Sequence, residues 1–141
     1  MLDIRRAVLG DHERIAALWE ESRLRTVDLA EWDTLITAPA AVVLVAEEED
    51  ALAGAIVASF DGWRAYIYHV AVIPGHRRRR VAQALFQAAH EYLAQHGERL
   101  VYVMVNAENE AGIALLRSMH YVSEGDIAMV HELSGGASAP A

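Results

Sequence analysis

The stretch that decides the fold is VAVIPGHRRRRVAQALF, residues 70–86. It predicts a buried strand that stops at Pro74 and Gly75, followed by an amphipathic helix whose first turn carries the arginine run 77–80. The unpaired N–H groups and the positive dipole end at a helix start already favour an anion, so cations placed there are unfavourable by themselves. Four arginines at this point therefore indicate a bound polyanion, and a pyrophosphate is the natural candidate.

The arginine run has two other interpretations. Such runs also lie on solvated surfaces, or they form patches that bind nucleic acid. The position of this run, between a strand end and a helix start, favours phosphate binding over plain solvation. All 12 basic residues of the chain are arginine, and with 20 acidic residues the net charge is −8. Because nucleic-acid-binding domains usually carry a basic excess, this balance argues against nucleic acid as the partner.

The composition excludes several kinds of chemistry. The chain has no cysteine, which rules out disulfides, thiolate metal sites and a cysteine nucleophile. It has no lysine, and arginine does not deprotonate in proteins, so Schiff-base chemistry is ruled out as well. The seven histidines show no metal-like spacing, and we predict no metal site.

Length and hydropathy predict one soluble domain. The chain has 141 residues, of which 54% are hydrophobic, enough for a single domain with a real core. No apolar run approaches the roughly 18–20 residues of a membrane helix, and the start lacks the apolar stretch of a signal peptide. We therefore expect a cytoplasmic protein with no membrane partner. The domain is predicted to span residues 1–133, followed by a flexible tail at 134–141 that has nothing to bury.

Periodicity predicts a mixed α/β sheet with helices on its faces. The predicted strands cover residues 2–7, 41–46, 52–60, 64–73, 100–105 and one or two segments of 121–133, and the predicted helices cover 11–23, 28–36, 77–96 and 106–120. Asp11 is the expected N-cap of the first helix. The strands on either side of the third helix should pair in parallel through a right-handed crossover.

The strand at 64–73 carries the titratable side chains of most interest. Alternation places Tyr66 and Tyr68 on one face and His69 on the other. His69 is interpreted as a histidine hydrogen-bonded under a helix. The two tyrosines have two open interpretations, as functional groups or as sheet-face aromatics that pack on a helix.

Three motifs in sequence order resemble the GNAT superfamily of N-acetyltransferases. VAVIP (70–74) matches the end of that family's fourth strand, and RRRRVA (77–82) matches the loop that cradles the pyrophosphate of acetyl-CoA. NEAGIALLRSMHY (109–121) matches a later helical block, and the element order agrees from residue 2 to about 133. The resemblance implies an α/β fold with a mixed, mostly antiparallel central sheet flanked by helices on both faces.

The same resemblance implies acetyl-CoA as the acetyl-donating cosubstrate. The residues that match its binding positions are Val70, Ala71, Val72, Arg77, Arg78, Arg79, Arg80, Val81, Ala82, Asn109 and Leu116. Arg80 stands where the family has its first glycine, so its side chain either grips a phosphate or obstructs one. Leu116 stands where many members carry a tyrosine that protonates the leaving thiolate, and leucine cannot donate a proton.

Family chemistry implies a base that takes the proton of an acceptor amine, often through water, and backbone N–H groups of the fourth strand that polarise the thioester carbonyl. In several relatives the base lies at positions matching Tyr66 or Tyr68, which are therefore the predicted catalytic residues. The leading function is acetyl transfer to a primary amine of a small molecule, or to a protein N-terminus. The alternative is an acyl-CoA-binding protein with little or no turnover. Similar proteins are commonly homodimers, and the oligomeric state stays open.

Overall fold

The computed structural model describes residues 1–75 and 78–133, without the side chain of Arg78. Arg77 and the predicted tail at 134–141 lie outside the described residues. The strands are β1 Leu2–Arg6, β2 Ala41–Glu48, β3 Ala51–Phe60, β4 Ala65–Val72 and β5 Val101–Val103, and the helices are α1 His12–Glu21, α2 Leu29–Thr37, α3 Arg78–Gln95 and α4 Glu110–Ser118. The chain divides into two compact units, Met1–Val105 and a second that begins at Asn106. No helix of the described ranges is long and apolar enough to cross a membrane.

The first unit contains a five-stranded sheet in the order β1-β2-β3-β4-β5. The first four strands pair antiparallel, and β4 pairs parallel with β5. The parallel pair is joined through α3, as the sequence predicts for strands on either side of a long helix. The mixed, mostly antiparallel sheet is thereby confirmed.

Helices cover both faces of this sheet. On one face, α1 and α2 bury Ile15, Leu18, Trp19 and Trp32 against alternate residues of the central strands, such as Val57. On the other face, α3 approaches Gly54 of β3 so closely that an added Cβ would lie 3.2 Å from side-chain atoms of both Val81 and Leu85. The same Cβ would lie 2.8 Å from the carbonyl oxygen of Ala71, a distance that Cβ atoms essentially never show. Glycine at this position therefore seats α3 directly on the sheet.

Asp11 occupies the predicted N-cap position of α1 but does not cap that helix through its side chain. It precedes α1, but its carboxylate makes no cap hydrogen bond to that helix. It accepts instead from the backbone N–H of Val8 at 2.8 Å, from Arg5 at 2.9 Å and from Arg14 at 2.8 Å. Arg5 also reaches Glu47 on β2 at 2.8 Å. These bonds hold the pKa of the buried Asp11 carboxyl well below its usual range and tie β1, α1 and β2 together.

The prediction of strands within residues 121–133 is wrong, because these described residues contain no strand. Val122, Ile127, Met129, Val130 and Leu133 carry strand propensity but are each at least 69% exposed. Strand propensity reflects the fit of a side chain to a half-buried surface, and this segment provides no such burial. The fifth strand is also shorter than predicted, since β5 ends at Val103 and Met104 and Val105 are exposed.

Candidate functional site

The sheet opens where β4 continues beyond its parallel partner. The β4–β5 register runs from Ala65↔Val101 to Ile67↔Val103, and the last bond joins Met104 N–H to the Ile67 carbonyl at 3.1 Å. β5 then ends, whereas β4 continues to Val72. Residues 68–72, here called the open β4 edge, have no paired strand on the β5 side within the described part of the chain. Backbone polar groups on such an edge are available to a ligand.

The open β4 edge contains the predicted coenzyme contacts Val70, Ala71 and Val72. Ala71 and Val72 are buried, at 4% and 8% exposure, and Val70 is half-buried. Their side chains are therefore held by the core while the strand edge faces the opening. This geometry suits recognition of an extended group through backbone bonds.

A bulge interrupts β4 at this edge. Val57 of β3 pairs with Tyr68 and Ala55 pairs with Ala71. The chain therefore advances by three residues along β4 where it advances by only two along β3, and β4 carries one extra residue. His69 lies inside the bulge with φ of 51°, in the left-handed region. For a residue other than glycine this conformation costs about 1–3 kcal/mol, and such strain clusters at functional sites. Bulges also turn side chains away from the direction that alternation gives them.

The prediction that His69 points to the face opposite Tyr68 is therefore wrong. The His69 ring meets Trp19 of α1 at a centroid distance of 4.8 Å and the Tyr68 ring at 5.5 Å, both edge-on. Trp19 and Tyr68 belong to the core on the α1 face. The extra residue of the bulge brings both titratable side chains to one side of the strand.

His69 is hydrogen-bonded, as predicted. Its Nε2 lies 2.9 Å from the carbonyl oxygen of Arg25, in the loop between α1 and α2. Burial lowers the pKa of His69, the hydrogen bond to Arg25 opposes that change, and the charge of Arg25 adds to it. The imidazole is consequently neutral at physiological pH.

The two predicted catalytic tyrosines share a face, as alternation requires, since Tyr66 pairs with Ser59 and Tyr68 with Val57. Tyr66 stacks on Tyr102 of β5 with ring centroids 5.4 Å apart. Tyr68 is half-buried at the open β4 edge, and burial raises its pKa. Tyr68 therefore keeps its proton at neutral pH, which suits an acid and not a base.

The helix start predicted to bind phosphate follows β4 after a short link, 73–77. α3 begins at Arg78, so Arg79 and Arg80 lie in its first turn, and both are exposed. Val81 is buried at 3% and Ala82 is half-buried, which orients the first turn with Arg79 and Arg80 away from the sheet. Exposed guanidinium groups at the N-terminal turn of a helix form a suitable environment for a pyrophosphate.

Asn109 and Leu116 belong to the second unit. Asn109 caps α4, with its Oδ1 accepting from Gly112 N–H at 2.9 Å, so the helix predicted from residue 106 begins four residues later, at Glu110. Leu116 is 6% exposed and is therefore a buried residue. Tyr121 follows α4, and burial raises its pKa to about 12.

The sequence predicted neither the role of Arg25 nor the contact between Trp19 and His69. Arg25 acts through its backbone carbonyl, which no side-chain pattern reveals. The Trp19 indole N–H is buried and has no hydrogen-bond acceptor among the described residues. Within residues 1–75 and 78–133, no three histidine, aspartate or glutamate side chains cluster as a metal site would require.

Comparison with known proteins identifies a family for most of the chain. The model of the acetyltransferase (GNAT) family matches residues 5–121. The chain belongs to the GNAT acetyltransferase family. The GNAT resemblance inferred from the three motifs is thereby confirmed, and the match runs from the last residues of β1 to just beyond α4.

One relative in sequence and two structural neighbours are similar to most of the chain. An acetyltransferase from Yersinia enterocolitica is 29% identical over 129 residues, which span 89% of this chain and 92% of that protein. A structure titled as a transcriptional regulator from Bacillus halodurans aligns with a TM-score of 0.83 at 16% identity, covering 94% of this chain and 100% of the other. An aminoglycoside acetyltransferase from a soil metagenome aligns with a TM-score of 0.77 at 19% identity over 93% and 95% of the two chains. At these identities the two structures show the fold alone.

Proposed function

We propose that the protein transfers an acetyl group from acetyl-CoA to a primary amine. The observation that carries the proposal is the open β4 edge, which ends a few residues before the arginine-bearing start of α3. In the proposal, a thioester lying along residues 68–72 meets backbone donors, and the pyrophosphate of the same molecule meets Arg79, Arg80 and the N-terminal end of α3. Both parts of an acetyl-CoA molecule thus find the chemistry they need on consecutive elements.

In this reaction the amine nitrogen attacks the thioester carbonyl carbon. The N–C bond forms, the C–S bond breaks, and coenzyme A leaves as a thiolate that takes up a proton. Backbone N–H groups of the open β4 edge stabilise the negative charge that develops on the carbonyl oxygen. Tyr68, protonated and half-buried at this edge, is the proposed donor to the thiolate.

The acceptor is proposed to be a small-molecule amine or a protein N-terminus. One structural neighbour is titled an aminoglycoside acetyltransferase, which makes aminoglycosides a rational member of a test panel. The alternative function, coenzyme binding with little turnover, is favoured by one observation. Leu116 stands in α4 where many relatives carry the acid tyrosine, and it cannot donate a proton.

Thiol release from acetyl-CoA tests the proposal and separates it from the alternative. Purified protein is incubated with acetyl-CoA and a polyamine, an aminoglycoside, free amino acids or peptides with free N-termini. We expect thiol release with at least one amine, and acetyl-CoA at 100 times its Kd should stabilise the fold by about 2.7 kcal/mol. Stabilisation without any thiol release would support the binding-protein alternative. A melting temperature that stays unchanged in millimolar acetyl-CoA would contradict both.

A further inference from the structure

The bulge in β4 places one histidine on the open β4 edge, along which the thioester is proposed to lie. His69 follows the last β4–β5 pair at Ile67 by two residues and precedes the proposed thioester contacts at Val70–Val72. Its φ of 51° and its edge-on contact with Trp19 show that the side chain is held in one direction by surrounding structure. A bulge with a strained backbone at an open strand edge is typical of a functional site.

The hydrogen bond to Arg25 decides which ring nitrogen carries the hydrogen. A carbonyl oxygen only accepts, so Nε2, at 2.9 Å from the Arg25 oxygen, must be the donor. In a neutral imidazole the other nitrogen, Nδ1, then holds a lone pair. Within residues 1–75 and 78–133, the Arg25 bond is the only hydrogen bond of the His69 ring. Nδ1 therefore retains a lone pair that no hydrogen bond within the described residues uses.

The neighbours of His69 keep this lone pair unprotonated. From α1 the ring meets Trp19, from the α1–α2 loop it meets Arg25, and from β4 it meets Tyr68. Of these groups only Arg25 is charged, and its charge and the burial of the ring both lower the pKa of His69. The Trp19 ring that packs on His69 also holds a buried N–H with no acceptor in the described residues, a donor suited to a polar substrate or a water.

We infer that His69 is the base that takes a proton from the acceptor amine, through its Nδ1 atom. This inference rests on the proposed acetyl transfer and assigns a residue to one of its steps. Arg25 is then a positioning residue, because its carbonyl fixes the tautomer that leaves Nδ1 free. The adjacent Tyr68 takes the opposite role, since its environment holds the hydroxyl protonated while that of His69 holds the imidazole neutral.

The proton balance of the step is complete with these two residues. The ammonium form of the acceptor loses one proton to Nδ1, and the neutral amine attacks the thioester carbon. The N–C bond forms and the C–S bond breaks, with the electron pair of the C–S bond leaving on sulfur. The thiolate takes its proton from the Tyr68 hydroxyl, which regains one from the amide nitrogen through solvent, and His69 returns its proton to water.

The test compares His69→Gln and His69→Ala with the wild type. Glutamine retains an amide N–H that reaches the Arg25 carbonyl but has no basic lone pair, whereas alanine loses both functions. Thiol release is measured against pH with acetyl-CoA and the amine of the panel that the wild type acetylates fastest. The matched control is His96→Gln, an exposed residue just after α3 whose ring lies 2.9 Å from the Tyr92 carbonyl and packs on the rings of Tyr92 and Phe60.

We expect both His69 variants to lose about 100-fold or more in kcat/KM near neutral pH, with the Kd for acetyl-CoA nearly unchanged. The wild-type rate should fall on the acid side, below the ordinary histidine pKa, as Nδ1 becomes protonated. This acid limb should be absent in His69→Gln, whose rate should instead rise steadily with pH as the amine loses its proton to water. His96→Gln should follow the wild type throughout.

Three results overturn the inference. If His69→Gln retains the wild-type rate and pH profile while His69→Ala does not, the ring has only a structural role. If the wild type releases no thiol with any amine, the proposed function fails and this inference fails with it. Should either variant fold poorly, nitrogen NMR of the wild-type histidine rings replaces it, and a hydrogen found on Nδ1 of His69 at neutral pH contradicts the assignment.

Discussion

We expect Tyr68→Phe to lower kcat for thiol release by about 100-fold, the contribution typical of a positioned acid, while the Kd for acetyl-CoA stays nearly unchanged. The substitution removes only the hydroxyl group, which burial keeps protonated at neutral pH. A thiol with a pKa near that of cysteine, about 8.5, leaves more readily when a proton is supplied as the C–S bond breaks. The measurement is steady-state thiol release with acetyl-CoA titrated by calorimetry in parallel.

Two further variants define the result for Tyr68. Tyr92→Phe, on α3 where the ring stacks on His96, is the matched control and should retain the wild-type kcat. Tyr66→Phe keeps the ring that stacks on Tyr102 and removes the second candidate hydroxyl. A large loss in Tyr66→Phe combined with a silent Tyr68→Phe would assign the acid to Tyr66. If both tyrosine variants are silent, proton donation to the thiolate does not come from this strand.

The double substitution Arg79→Ala with Arg80→Ala should raise the Kd for acetyl-CoA by about 100-fold. A hydrogen bond to a charged group contributes about 1.5–3 kcal/mol. Because both side chains are exposed, we expect the lower end of this range, which corresponds to about a tenfold change in affinity for each arginine. Both arginines lie in the first turn of α3 and are exposed. The affinity of the wild type should fall with salt more steeply than that of the double variant.

The control for the arginines is Arg99→Ala, an exposed arginine between α3 and β5 that should leave the Kd unchanged. Arg80→Gly then separates the two roles left open for that side chain. Weaker binding shows that Arg80 holds a phosphate, and tighter binding shows that it obstructs one. An unchanged Kd in the double variant would remove the arginine-bearing helix start from the coenzyme site.

The sequence predicted the parts of the fold that depend on local pattern. The β-branched run at 41–46 became β2, and the buried row of Val81 and Leu85 became the sheet-facing side of α3. Strand, stop and arginine-bearing helix start also follow one another as residues 70–86 indicate. These features arise from periodicity and turn chemistry within short windows, which the sequence displays directly.

The errors occurred where distant residues decide the outcome. Strand alternation places every second side chain on the same face, so it cannot reveal the extra residue that turns His69 to the side of Tyr68. That bulge is defined by the register of β4 with β3. Asp11 has the residue type of an N-cap, but Arg5 and Arg14 supply stronger, charged partners. The Arg25 carbonyl carries no side-chain signal at all, although it fixes the tautomer of His69.

The most direct test of the account is to map bound acetyl-CoA on the backbone of the wild-type protein by NMR. The central claim is that the coenzyme lies along the open β4 edge and the start of α3. Titration of nitrogen-15-labelled protein with acetyl-CoA should shift the amide signals of residues 68–72 and 79–82 most strongly. Shifts confined to the groove of about 470 Å³ between β1 and α3, which is lined by Arg6, Ala88 and Tyr92, would contradict the claim.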